Sequence, residues 1–183
     1  MTGRPREGAS EHYDLAKSKG AVRNDEIILF VVFKAENVAN DGKLKADAFD
    51  PRRLSKANES IARLAFTPKS DLMTFVIDPA SQRQETCVGI AQATAECIRE
   101  IEITSVDRKR KCLAFCILDV VSANDADGHG VMSFSDTLKT LETKGLNIAK
   151  AKSAARHDLA TRFSIVRTLS SIYPDPMLPS DVN

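Results

Sequence analysis

Apolar residues along this chain fall into short runs that are typical of buried strands. The clearest run covers residues 26–33, where Ile, Leu, Phe and Val follow one another between polar segments. Residues of this kind favour extended structure, so the run predicts a strand. Shorter apolar segments predict further strands of the same sheet at 43–49, 72–77, 87–93, 101–106 and 111–121. The charged turn between the last two predicts a hairpin, while 87–100 can also be interpreted as one helix.

Helical periodicity appears in three other segments. Residues 54–65 place apolar side chains on one face of a helix, after a proline that sets the preceding turn. A loop is expected over 122–135, followed by a helix over 136–143 that ends before Gly145. The longest apolar stripe runs from 147 to 172, which predicts a long amphipathic C-terminal helix packed on the sheet.

These elements predict a single compact α+β domain. It contains an antiparallel or mixed sheet with helices packed on one face, and a long C-terminal amphipathic helix. We expect a polar N-terminal arm over 1–24, the domain over 25–173 and an extended, proline-rich tail over 174–183. The 183 residues suit one core better than two.

Composition narrows the class of function only slightly. Hydrophobic residues make up 43% and charged residues 28%, and the formal net charge is +1, so no global field favours nucleic acid or an anionic membrane. Without Trp, the chain has little material for stacking on single-stranded nucleic acid. The four cysteines lack the C-x-x-C spacing of zinc and redox sites, and no apolar leader follows the N-terminal arginines. We therefore expect a soluble, reduced, cytoplasmic protein.

The most specific motif is an acidic loop over residues 125–136. Oxygen ligands at alternate positions suit a hard cation, and the candidate ligands are Asp125, Asp127, His129, Ser133 and Asp136. With Gly130 at the turn and Met132 at the apolar eighth position, the segment resembles an EF-hand loop. This resemblance implies binding of Ca²⁺, or of Mg²⁺. The alternative is a plain acidic, glycine-rich surface turn.

Two further candidate sites involve charged side chains. His129 lies between glycines near several aspartates and could act as a general base, although the chain contains no nucleophile elbow, zinc-protease, Walker or dinucleotide-binding motif. A basic patch could bind phosphate or an acidic partner, or be only the solvated side of a helix and turn. Its candidate residues are Arg108, Lys109, Arg110, Lys111, Lys150 and Arg156.

The sequence therefore favours a non-enzymatic binding or adaptor component of a bacterial or viral protein assembly. Its expected partner is another protein or a second copy of the chain, with nucleic acid less favoured and no membrane partner. A calcium-binding module and a small enzyme centred on His129 are the alternatives.

Overall fold

A computed structural model describes residues 19–72, 87–104, 111–119, 128–143, 148–166 and 172–173. These residues form a mixed α+β fold, which confirms the predicted class. The strands are β1 (Ile27–Val32), β2 (Glu59–Arg63), β3 (Gly89–Thr94), β4 (Glu102–Thr104), β5 (Lys111–Leu113), β6 (Phe115–Asp119), β7 (His129–Phe134) and β8 (Ser164–Val166). The α-helices are α1 (Pro51–Lys56), α2 (Ala95–Arg99), α3 (Asp136–Thr143) and α4 (Ala149–Arg162).

Six strands form one sheet in the order β6-β7-β2-β1-β3-β8, and β4 pairs with β5 in a separate hairpin. All neighbouring strands in the main sheet run antiparallel. The sequence predicted an antiparallel or a mixed sheet, and the described strands form an antiparallel one. This order puts β1 and β2 at the centre of the sheet.

Helices pack on one core formed with the sheet. Leu54 of α1, Ile98 of α2, Leu138 of α3 and Leu159 of α4 are all fully buried in the same apolar cluster as Phe30. Phe30, Phe49 and Phe163 pack against one another inside this cluster in tilted and edge-on arrangements, with ring centroids 4.7 to 6.1 Å apart. A second, smaller apolar cluster is formed by Leu29 and Ala62 of the sheet together with Leu72 and Ile172.

The helix predicted over 54–65 is wrong after its first turn. α1 ends at Lys56 because Ala57 adopts a left-handed conformation with φ of 57°, and the chain then enters β2. Ile61 and Ala62 satisfy both a helical and an alternating pattern. Pairing of β2 between β1 and β7 decides in favour of the strand.

Several other boundaries also differ from the prediction. The predicted strand over 43–49 forms only a bridge between Val38 and Leu44, followed by a 3₁₀ turn. Part of the predicted loop over 122–135 is β7, which lies between β2 and β6. The long C-terminal helix is not confirmed, since α4 has 14 residues and β8 follows within two residues of its end.

Other predicted elements are confirmed. β1 occupies the clearest apolar run, and β4 and β5 pair as the expected hairpin. The predicted strand over 111–121 is divided into β5 and β6, however, and the hairpin lies outside the main sheet in which it was predicted. Residues 87–100 form a strand followed by a helix, not one helix. The predicted strand over 72–77 lies outside the described residues except for Leu72, which is helical. Among the described residues, no helix is both long and apolar enough to cross a membrane.

Candidate functional site

The predicted calcium loop lies only partly within the described residues. Asp125 and Asp127 lie outside them, His129 and Ser133 belong to β7, and Asp136 begins α3. The Ser133 side chain is fully buried, and its hydroxyl donates to the Phe134 carbonyl oxygen at 3.0 Å. Within the described segments, no three His, Cys, Asp or Glu side chains are grouped to hold a metal ion. Calcium binding stays a prediction, and thermal unfolding with calcium or a chelator tests it.

Two positions of this motif require glycine for structural reasons. Gly128 has φ of +77°, and a Cβ there would lie 2.4 Å from Thr67 Oγ1. At Gly130 a Cβ would lie 2.9 Å from the Leu118 carbonyl oxygen. Both positions need glycine because the backbone of the neighbouring segments approaches closely. His129 lies between them in β7, half-buried and opposite Ala62, and its role as a general base stays a prediction.

The predicted basic patch is also only partly described, since Arg108, Lys109 and Arg110 lie outside the described residues. Lys111 pairs with Glu102 at 3.0 Å, and Lys150 is exposed on α4. The Arg156 side chain donates to Asp47 Oδ1 and to the Ala46 carbonyl oxygen, both at 3.0 Å. These contacts join α4 to the segment before α1, and phosphate binding stays a prediction.

A buried ion cluster that sequence reasoning missed lies at one end of β2. We call Glu26, Arg63 and Asp119 the Arg63 cluster. The Arg63 side chain is 1% exposed and donates to both oxygens of Glu26, at 2.7 and 2.8 Å, and to Asp119 Oδ1 at 2.6 Å. It also donates to the Gly20 carbonyl oxygen at 2.9 Å and lies over the Phe66 ring.

The contacts within the Arg63 cluster outweigh the cost of burial. Burial by itself would raise the pKa of Glu26, but hydrogen bonds from the Arg63 side chain and from the Arg23 backbone hold that pKa below its ordinary value. Burial would likewise lower the pKa of Arg63, but its carboxylate partners raise it. The cluster is satisfied by its own members and stabilises the packing of the N-terminal segment on the sheet.

At the opposite end of β2 the sheet opens into a cleft. β1 pairs with β3 at six positions but with β2 at only two, Ile28 opposite Arg63 and Leu29 opposite Ala62. Beyond these pairs, a cavity of about 360 Å³ separates the strands. Residues 29–34 and 59–62 form its walls, and residues from the 36–53 segment complete its lining. We call this cavity the β1–β2 cleft.

Peptide groups from both strands face this cleft. Glu26 accepts a backbone hydrogen bond from Ala95 on the β3 side, and Arg63 donates one to Gly128 on the β7 side. In antiparallel sheets the peptide groups of successive residues alternate between the two neighbouring strands. The same alternation turns the peptide groups of Val31 and Ser60 toward each other across the cleft, where no register pair joins the two strands.

Glu59 is the buried charged residue of the cleft. Its side chain is only 4% exposed, and Oε2 accepts a hydrogen bond from the Asp50 backbone N–H at 3.1 Å. The nearest cation is Arg53, whose Nη1 lies 3.7 Å from Oε1, too far for a full hydrogen bond. Burial raises the pKa of Glu59 from 4.5 to about 7, because Arg53 and the Asp50 N–H offset the loss of water only in part. A carboxyl group with these properties inside a cavity is a candidate binding group.

Sequence reasoning missed Glu59 because it assigned residues 54–65 to a helix. Read as a strand, Glu59, Ile61 and Arg63 alternate onto the same face, so a buried apolar residue lies between two charges. This alternation was the available signal. The alternating pattern does not show, however, that Arg63 has close partners of opposite charge and that Glu59 has only a distant one among the described residues.

Comparison with known proteins adds no assignment. No family model, curated protein or solved structure matches the chain.

Proposed function

We propose that this protein is a non-enzymatic binding component that holds an extended segment of a protein partner in the β1–β2 cleft. One observation carries the proposal: two central strands of the sheet stop pairing after two positions and leave peptide groups facing a cavity. Exposed strand groups of this kind bind extended peptides through main-chain hydrogen bonds, while side-chain pockets provide specificity.

The lining of the cleft supports binding rather than catalysis. Leu29, Val32 and Ile61 are buried apolar side chains. Glu59 is also buried, whereas Lys34 and Glu36 are exposed at the rim. The described residues that line the cleft include neither histidine nor cysteine, so they hold no pair of nucleophile and imidazole base. The lining combines apolar side chains with charged and polar groups, so it suits a ligand that has both an apolar and a charged part.

A substitution that fills the cleft tests this function. Ser60 is exposed on the cleft wall, so Ser60→Trp adds bulk there without a cost in the core. Thr104→Trp is the matched control, because Thr104 is an exposed strand residue outside the cleft. We expect the wild type and Thr104→Trp to retain the same partner from native cell extract, and Ser60→Trp to lose it.

Hydrogen exchange on the purified complex provides the second measurement. Partner binding should protect the amides of Val31 and Ser60, because their peptide groups gain hydrogen bonds. If Ser60→Trp retains the partner and these amides exchange as in the unbound protein, the cleft is not the binding site. Light scattering distinguishes a second copy of this chain from a different protein.

A further inference from the structure

Carboxyl groups outnumber cations in the lining of the β1–β2 cleft. Its lining includes the carboxylates Glu36, Asp47, Asp50 and Glu59 and the cations Lys34 and Arg53. Asp47 is paired with Arg156 at 3.0 Å, and Arg53 lies 3.7 Å from Glu59. A cavity with an excess of carboxylates attracts a cationic group, most strongly where water is excluded.

The two oxygens of Glu59 restrict which cation can bind. Oε2 already accepts the Asp50 N–H at 3.1 Å, whereas among the described residues the cation beside Oε1 is the Arg53 guanidinium at 3.7 Å. A bidentate guanidinium needs both oxygens of a carboxylate, in one plane. An ammonium group is a compact charge that needs only one of them, so it fits Glu59 without displacing the backbone donor.

The walls of the cleft suit the rest of a lysine side chain. Val32 and Ile61 are apolar and line the cleft on the same face of the sheet as Glu59, where the four-carbon stem would lie. The carbonyl groups of Val31 and Ser60 face the same space and can accept the remaining N–H donors of an ammonium group. Because Arg53 is 40% exposed, its guanidinium can move toward solvent when another cation arrives.

We propose that the β1–β2 cleft binds the side chain of a lysine in the partner segment, with the lysine ammonium group on Glu59 Oε1. This inference rests on the proposed function and adds the chemical class of the group that is recognised.

The probe is Nα-acetyl-lysine methylamide, titrated into the full-length protein and followed by the backbone amide signals of Val31, Val32 and Ser60. A ligand this small should bind with a dissociation constant on the order of millimolar. Nα-acetyl-norleucine methylamide has the same stem without the charge and should bind about tenfold more weakly. The arginine analogue should also bind more weakly. Equal binding of the lysine and norleucine probes, or no shift of these signals, overturns the proposal.

Variants assign the interaction to one carboxyl group. Glu59→Gln should weaken binding of the lysine probe about tenfold and remove its preference over norleucine, because the paired charge is lost. Glu96→Gln is the matched control, since Glu96 is an exposed carboxylate on α2 outside the lining of the cleft, and it should change affinity less than about threefold. A Glu59→Gln protein with a native spectrum and wild-type affinity for lysine rules the assignment out.

The pH dependence is a second readout. Glu59 is faced by Asp50 at the N-cap of α1 and by Arg53 in α1, and Met132 lies opposite it in β7. The charged residues around the rim are Lys34, Glu36 and Asp47, the last paired with Arg156. Because an ammonium group binds the ionised carboxylate, affinity for the lysine probe should increase roughly tenfold between pH 6 and pH 8. In Glu59→Gln the profile should be flat, and a wild-type slope there would contradict the proposal.

Binding of the protein partner by the two cleft variants distinguishes the proposed function from the lysine assignment. If Ser60→Trp abolishes partner binding while Glu59→Gln leaves it intact, the cleft is the binding site and the lysine assignment is wrong. If both variants bind the partner as the wild type does, the proposed function fails together with the assignment made on it.

Discussion

The two ends of β2 each bury a charged side chain on the same face, but in different ways. At one end Arg63 is surrounded by two carboxylates and a carbonyl oxygen within 3 Å. At the other end Glu59 has one backbone donor and a cation 3.7 Å away. Removing one partner of a fully compensated buried charge is costly to the fold, whereas an undercompensated buried charge is available to a ligand. The Arg63 cluster therefore belongs to the packing of the fold, and the β1–β2 cleft is the place where we propose binding.

The largest effect should come from removing the central cation of the Arg63 cluster. Arg63→Met leaves Glu26 and Asp119 buried without their partner, and we expect a loss of about 3–5 kcal/mol in the free energy of unfolding, measured in urea at pH 7. Arg53→Met is the control at the other end of β2 and should cost less than about 1 kcal/mol, since Arg53 is 40% exposed. Equal losses for the two variants would remove the contrast between the two ends.

Glu59→Gln should instead stabilise the protein. A pKa of about 7 in the folded state, against 4.5 for the ordinary group, means that ionised Glu59 opposes folding. The favourable contribution of the neutral form is complete below pH 4.5 and is lost as the pH rises through 7. At pH 8 we expect the variant to gain about 3 kcal/mol over the wild type, and at pH 4 almost nothing. A destabilised variant at pH 8 would show that Glu59 is well compensated.

The corresponding substitution Glu26→Gln should lower the free energy of unfolding instead of raising it. The pKa of Glu26 lies below its ordinary value, so its ionised form supports folding above that value and loses this effect as the pH falls through the folded pKa. Glu26→Gln should cost about 2 kcal/mol at pH 7 and less at pH 3, measured by urea unfolding. A cost that does not depend on pH would mean that shape, not charge, holds Glu26 in place.

The smallest expected effect is a change in the pKa of Glu59 when Arg53 is replaced. Because the charge on Arg53 lowers the pKa of Glu59, Arg53→Met should raise that pKa above 7. Stability at pH 5 should change little, since Glu59 is protonated there in both proteins. Carbon-13 NMR of the Glu59 carboxyl group measures the shift, with Arg52→Met, an exposed neighbour, as the control. An unchanged pKa would mean that burial alone determines it.

The predictions from sequence succeeded where a segment could be interpreted locally. β1 was predictable because its apolar run is too continuous for any other element, and α3 because it ends close to a glycine. β2 was not predictable, since Glu59–Arg63 fits a helix and a strand equally well and its neighbours in the sheet decide between them. β7 was missed because Gly128 and Gly130 indicated a loop, although Gly130 permits the close approach of β6 to β7.

The sequence by itself determined the α+β class, the central apolar strand and the hairpin of β4 and β5, because these depend on short-range patterns of apolar and turn residues. Only the tertiary structure decided which charges are compensated. Glu26 and Arg63 are 37 positions apart and Arg63 and Asp119 are 56 apart, so no local pattern contains these pairs. Likewise, the raised pKa of Glu59 follows from its burial, which is set only when the chain folds.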